Sequence, residues 1–141
     1  MDLGVLDLPK IGEGFIKDPK GRMRWVKIHG ARGNTGEQMW DKCYRKHANL
    51  VMVFCGDQSR VTALKLTRPA EDGHPVTSLL SDYLSQTALR LYRFVPAENR
   101  VHALTYDVVH NVLVDDSPYV HEVDQHQFTL DYAMQPASKS K

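Results

Sequence analysis

Leu50-Val51-Met52-Val53-Phe54-Cys55-Gly56 decides how this chain is read. Six consecutive apolar residues are too few for a buried helix. Valine and phenylalanine favour extended backbone, and glycine closes the run. The stretch 50–55 is therefore predicted as a strand with both faces covered. Just before it, Thr35-Gly36-Glu37-Gln38 has the form of a capping box, with Thr35 as N-cap and Gln38 reaching back. Met39, Trp40, Cys43, Tyr44 and His47 follow at helical spacing, with charged residues between them. Acids come early and bases late, as the helix dipole prefers. A helix over 36–47 is expected. Further upstream, 22–29 alternates apolar and basic residues and predicts another strand, followed by a glycine-rich loop over 30–36. Strand, helix and apolar strand in succession imply a sheet covered by helices.

Downstream, 61–66 predicts a short strand and 68–73 a turn-rich connection. The segment 76–84 fits helix or strand. Residues 89–95 and 100–107 predict a hairpin joined by Pro96-Ala97-Glu98-Asn99. The span 108–123 reads as a loop with some apolar character, and 127–132 as a last strand. The expected fold is α/β or α+β, with a mixed, largely antiparallel sheet and one clear helix. An irregular arm over 1–21 precedes a single domain over 22–132, and 133–141 form a polar tail.

The 141 residues suit one domain. The longest apolar run has six residues where a membrane helix needs about 20. Met1-Asp2-Leu3-Gly4 lacks a basic, then apolar, leader, so no secretory signal is expected. Cys43 and Cys55 are read as reduced, buried thiols of a cytoplasmic protein, with a disulfide between them left open. No Cys-x-x-Cys pair supplies thiolate zinc spacing. Charge is uneven: residues 1–68 hold 13 Lys and Arg against 7 Asp and Glu, and residues 69–141 hold 5 against 10. This is read as two complementary faces of one fold, with steering of a partner as the alternative.

Three ordered stretches resemble the C-terminal half of calcineurin-like metallophosphoesterases. The first runs from Trp25-Val26-Lys27-Ile28-His29 through Gly36-Glu37-Gln38-Met39-Trp40-Asp41-Lys42 to Arg45-Lys46-His47-Ala48-Asn49. The second is 50–56. The third joins Val76-Thr77-Ser78-Leu79-Leu80-Ser81-Asp82-Tyr83, Leu89-Arg90-Leu91-Tyr92-Arg93-Phe94, Leu104-Thr105-Tyr106 and Gln127-Phe128-Thr129-Leu130. The resemblance spans about residues 22–132. It implies half of a β-sandwich flanked by helices, in a family whose two metal ions clamp a phosphate and activate a water. His29 matches the family's histidine after a strand. Its Gly-His-x-His motif falls on Gly56-Asp57-Gln58-Ser59, where Asp57 and Ser59 replace both histidines. The family's Asp-x-His, Gly-Asp-x-x-Asp and Gly-Asn-His-Glu motifs are absent. One histidine and one aspartate cannot hold two closely spaced cations, which need about three to four protein ligands each.

The expectation is a non-catalytic, protein-binding module, acting as adaptor, inhibitor or structural subunit, with no cofactor. The alternative is one half of a split phosphoesterase, in which His29 and Asp57 help hold a divalent metal such as manganese or iron. The expected partner is another protein or a second copy. Its candidate surfaces are Leu6, Leu8, Ile11, Phe15 and Ile16 on the arm, and Arg22, Arg24 and Lys27 on the basic strand. Nucleic acid is the weaker reading of those bases, and no membrane is involved. His121, Asp124 and His126, near Asp115 and Asp116, read as a solvated loop, with metal coordination as the alternative. His110 reads as packed, His102 as structural on its strand, and His74 as a turn residue with no evident partner. Ser59 and Ser81 sit in no nucleophile elbow.

Overall fold

The computed structural model describes residues 36–56, 63–83, 87–118 and 120–132. The predicted strand 22–29, the arm, Thr35 and the tail lie outside these residues. The chain divides into two compact units, 1–84 and 85–141. The architecture is mixed α+β, mostly strands in two sheets with short helices, and most strand pairs are antiparallel, as expected.

In the first unit, α1 (Gly36–Lys42) ends earlier than the predicted helix over 36–47. Cys43 leaves helical geometry (φ −133°, ψ −68°), and Tyr44–Lys46 form a 3-10 turn. The Glu71 N–H takes the Arg45 carbonyl at 2.8 Å, and the Arg45 guanidinium reaches Asp41 at 3.1 Å and Glu71 at 3.3 Å. The Glu71 N–H thus claims a carbonyl that a continued helix would have used.

Strand β1 (Met52–Cys55) confirms the apolar run as extended backbone, but Phe54 is exposed, so its two faces are not both covered as expected; β2 (Ala63–Pro69) is the next strand. The open segment 76–84 is a strand, β3 (Pro75–Ser81). The order is β1-β3-β2, with β1 parallel and β2 antiparallel to the central β3. Residues 76–80 are all buried, so both faces of β3 are covered. On one face Val53 and Val76 pack with Trp40 and Ala70, bordered by Tyr44, Leu50 and Cys55. The Arg68 guanidinium lies 4.0 Å above the Trp40 ring, a cation–π contact that roofs this core.

In the second unit the hairpin forms as read: β4 (Ala88–Val95) and β5 (Arg100–Asp107) pair from end to end. Pro96–Glu98 make a 3-10 turn, and Asn99 takes the left-handed conformation (φ 51°) that closes it. Along the other side of β5, β7 (Phe128–Asp131) pairs with 100–103, and β6 (Val112–Leu113) with Tyr106 and Asp107. The predicted loop 108–123 therefore contains a short strand. An unpredicted single turn, α2 (Val123–His126), precedes β7. It is set by His126, which is fully buried and whose Nε2 lies 2.9 Å from the Val120 carbonyl. Between β6 and β7 the Gln127 side chain replaces a strand partner. The Thr105 N–H donates to Gln127 Oε1 (3.3 Å), and Gln127 Nε2 donates to the carbonyls of Thr105 (3.1 Å) and Val114 (2.6 Å). Val101, Ala103, Thr105, Val120 and His126 form this unit's buried interior.

Candidate functional site

Because β1 and β3 run parallel, their carboxyl ends lie side by side. Cys55 pairs with Leu80, and a methyl placed on Gly56 would stand 3.5 Å from the Ser81 carbonyl. Loops leaving parallel strands at this end are where open α/β sheets gather ligands. Half-buried Asp82 and buried Tyr83 continue β3 there. Asp57 follows Gly56 directly in the chain but lies outside the described residues. His29, the arm residues Leu6, Leu8, Ile11, Phe15 and Ile16, and the basic residues Arg22, Arg24 and Lys27 lie outside them as well.

The histidine readings divide. His121, Asp124 and His126 do not converge. His126 is interior, while His121 is exposed and its Nδ1 meets Asp116 at 2.7 Å, holding that carboxyl below its usual range. Among the described residues no group of three or more His, Cys, Asp or Glu side chains is placed to hold a metal ion. His110 is not packed: its side chain is 72% exposed, and its Nδ1 lies 2.8 Å from Asp107. Its apolar neighbours Val109 and Val112 are themselves exposed, which removes the premise of that reading. His102 is structural, bridging β5 to Thr129 of β7 at 3.0 Å. His74 does have partners, Asp72 and the Leu50 carbonyl. Cys43 is exposed rather than buried, because the helix ends there and releases it from the apolar face; Cys55 is half-buried, and the two form no disulfide. Burial, with the nearby cysteines adding to it, pushes the Tyr44 hydroxyl above its ordinary value.

Spacing alone gave no sign of a cavity of about 450 Å³ in the second unit, lined by Thr87, Ala88, Asp107, His110 and residues 112–116. Asp107 organises its wall. Its Oδ1 accepts the Thr87 hydroxyl (2.6 Å) and the backbone N–H groups of Val109 and His110 (2.9 and 3.0 Å), while Oδ2 faces His110 Nδ1. The Thr87 hydroxyl and the His110 donors hold its carboxyl far below the usual aspartate range. The Asp-x-x-His pattern after a strand was the available signal, since aspartate caps such turns. A depressed folded-state pKa stabilises above the unfolded value, about 3.9, and that stability is lost as pH falls through the folded value. Asp107→Asn should therefore flatten the acid limb of the stability curve below about pH 4, measured by urea unfolding at a series of pH values.

Among the described residues no helix is long and apolar enough to cross a membrane. No protein-family model, no curated protein and no solved structure matches the chain.

Proposed function

We propose that this chain is a protein-binding module on a metallophosphoesterase-derived half-sandwich, working as an adaptor, inhibitor or structural subunit. The observation that carries the reading is one face of the second sheet. Leu89, Leu91 and Leu113 stand on it at 41, 49 and 55% exposure, with half-buried Leu104 and Tyr106 between them in register. Contiguous exposed apolar surface of this kind is characteristic of interaction sites. A half-sandwich would leave such a face for another protein or a second copy to cover. The replacement of both motif histidines by Asp57 and Ser59 supports the loss of catalysis. The two unbridged thiols fit a reducing, cytoplasmic setting.

The split phosphoesterase is the second reading, favoured by the adjacent carboxyl ends of β1 and β3. There His29 and Asp57 would bind a divalent ion together with ligands from a second chain. A quantitative pull-down with mass spectrometry separates the two. The binder reading expects capture to fall at least about tenfold in the Leu89→Glu/Leu91→Glu variant and to persist in His29→Ala. Recovery of a chain carrying Asp-x-His and Gly-Asn-His-Glu, with metal-dependent phosphodiester hydrolysis abolished by His29→Ala, would install the split enzyme. Capture unaffected by the leucine changes would remove the binder reading.

A further inference from the structure

We propose that His74 is a proton-operated clasp, holding the β2–β3 turn onto the chain just ahead of β1 while it carries a proton on both ring nitrogens. The argument is one of donors and acceptors. His74 Nε2 lies 2.8 Å from the Leu50 carbonyl, which can only accept, so Nε2 carries a hydrogen. Nδ1 meets the Asp72 carboxylate, which also accepts, so Nδ1 needs a hydrogen too. A neutral imidazole has one N–H and must surrender one of these bonds. The ring is well placed to feel the loss, since the side chain is only 21% exposed.

The clasp joins distant parts of the first unit. The Asp72 carboxylate also accepts the His74 backbone N–H (3.2 Å), and the His74 carbonyl accepts the Ala70 N–H (2.9 Å). Ala70 belongs to the buried cluster with Trp40, Val53 and Val76. Leu50 leads directly into β1. Protonation of His74 thus ties the turn bearing one core residue to the entry of the strand bearing another. The other charged groups tying the turn to the 3-10 helix are Arg45 and Glu71, which pair with each other; Arg45 also meets Asp41. On the helix side Tyr44 stays neutral, and His47 gives its carbonyl to the Leu50 N–H. Asp72 is therefore the carboxylate that meets the His74 ring. The Leu50 carbonyl and then the Asp72 carboxylate favour the charged ring, and Asp72 in turn is held below its ordinary value.

The sign follows. A histidine whose folded-state value lies above the unfolded 6.5 stabilises fully below about pH 6.5, and that stability is lost as pH rises through the folded value. The test is ¹⁵N–¹H correlation of the histidine rings in the full chain, with His74→Gln identifying the His74 signals by their disappearance. At pH 6.5 both nitrogens should carry the shifts of an imidazolium, with a titration midpoint above 6.5. Asp72→Asn should lower that midpoint by roughly one pH unit. Urea midpoints of the wild type should fall as pH rises above about 6.5, and His74→Gln should lack that slope. A single neutral tautomer at pH 6.5, or a midpoint unmoved by Asp72→Asn, overturns the clasp. Asp72→Asn keeps the Leu50 bond, so even where His74→Gln folds poorly, the absence of any histidine ring signal whose midpoint falls in Asp72→Asn overturns the clasp.

Discussion

Leu80→Ala should lower the unfolding free energy of the first unit by about 3–5 kcal/mol. Leu80 has no exposed surface and sits on the central strand, with Cys55 of β1 on one side and Leu64 of β2 on the other. Shortening it removes three carbon atoms from a position where neighbouring strands fix the backbone, so the space cannot collapse. Small domains hold only about 5–15 kcal/mol in total, so the variant should unfold at markedly lower urea. Tryptophan fluorescence is a suitable readout, because Trp25 and Trp40 both belong to residues 1–84 and Trp40 is part of the buried cluster. Phe54→Ala is the control. Phe54 lies on β1 at 46% exposure, and its truncation should cost well under half as much. Equal losses in the two variants would mean that β3 is not the centre of the core.

Where side-chain pattern determined structure, the sequence was legible. The run 50–55 could only be extended, and β1 is extended. The two alternating segments around Pro96-Ala97-Glu98-Asn99 formed the hairpin with almost the predicted limits, since proline and a left-handed asparagine specify that turn locally. The helix 36–47 was overextended because periodicity cannot see the Glu71 N–H that claims the Arg45 carbonyl from 26 positions away. For the same reason 76–84 stayed open. Its apolar residues are interrupted by Thr77, Ser78, Ser81 and Asp82 without a clean period, and only pairing on both sides makes it a strand. Two histidines were misjudged through their neighbours: His110 follows valines that are themselves exposed, and His126 is interior although its neighbours Asp124 and Gln127 are polar. The candidate site was legible only as motif positions, because Asp57 and His29 gain chemical meaning from partners that spacing does not specify.

Gln127→Glu should destabilise the second unit by about 3 kcal/mol at pH 7, more than Gln127→Ala, although it is nearly isosteric. The native amide donates from Nε2 to two carbonyls, Thr105 and Val114, and accepts the Thr105 N–H at Oε1. No other residue type offers donors and an acceptor in that arrangement at that reach. Alanine leaves three backbone groups without this partner, some of which water can reach, since Gln127 is only half-buried. Glutamate keeps the acceptor but turns a negatively charged oxygen toward two carbonyl oxygens, one of which had been 2.6 Å from the donor. The repulsion favours the protonated acid, raising the folded-state pKa of the introduced carboxyl above the unfolded value of about 4.3. Its penalty is therefore full at neutral pH and shrinks as pH falls through the raised folded value toward about 4. Hydrogen exchange at Val101, Ala103 and Thr105 reports on this unit, because these β5 residues are buried and lie at its centre. Faster exchange in Gln127→Glu at pH 7, converging on wild type after correction to pH 4, is the expected pattern. A pH-independent loss would mean that the side chain serves packing alone. The distinction bears on function, since β5 carries Leu104 and Tyr106 between the exposed leucines of β4 and β6. A residue that substitutes for a missing strand partner keeps those side chains in register, and with them the apolar face assigned to the partner.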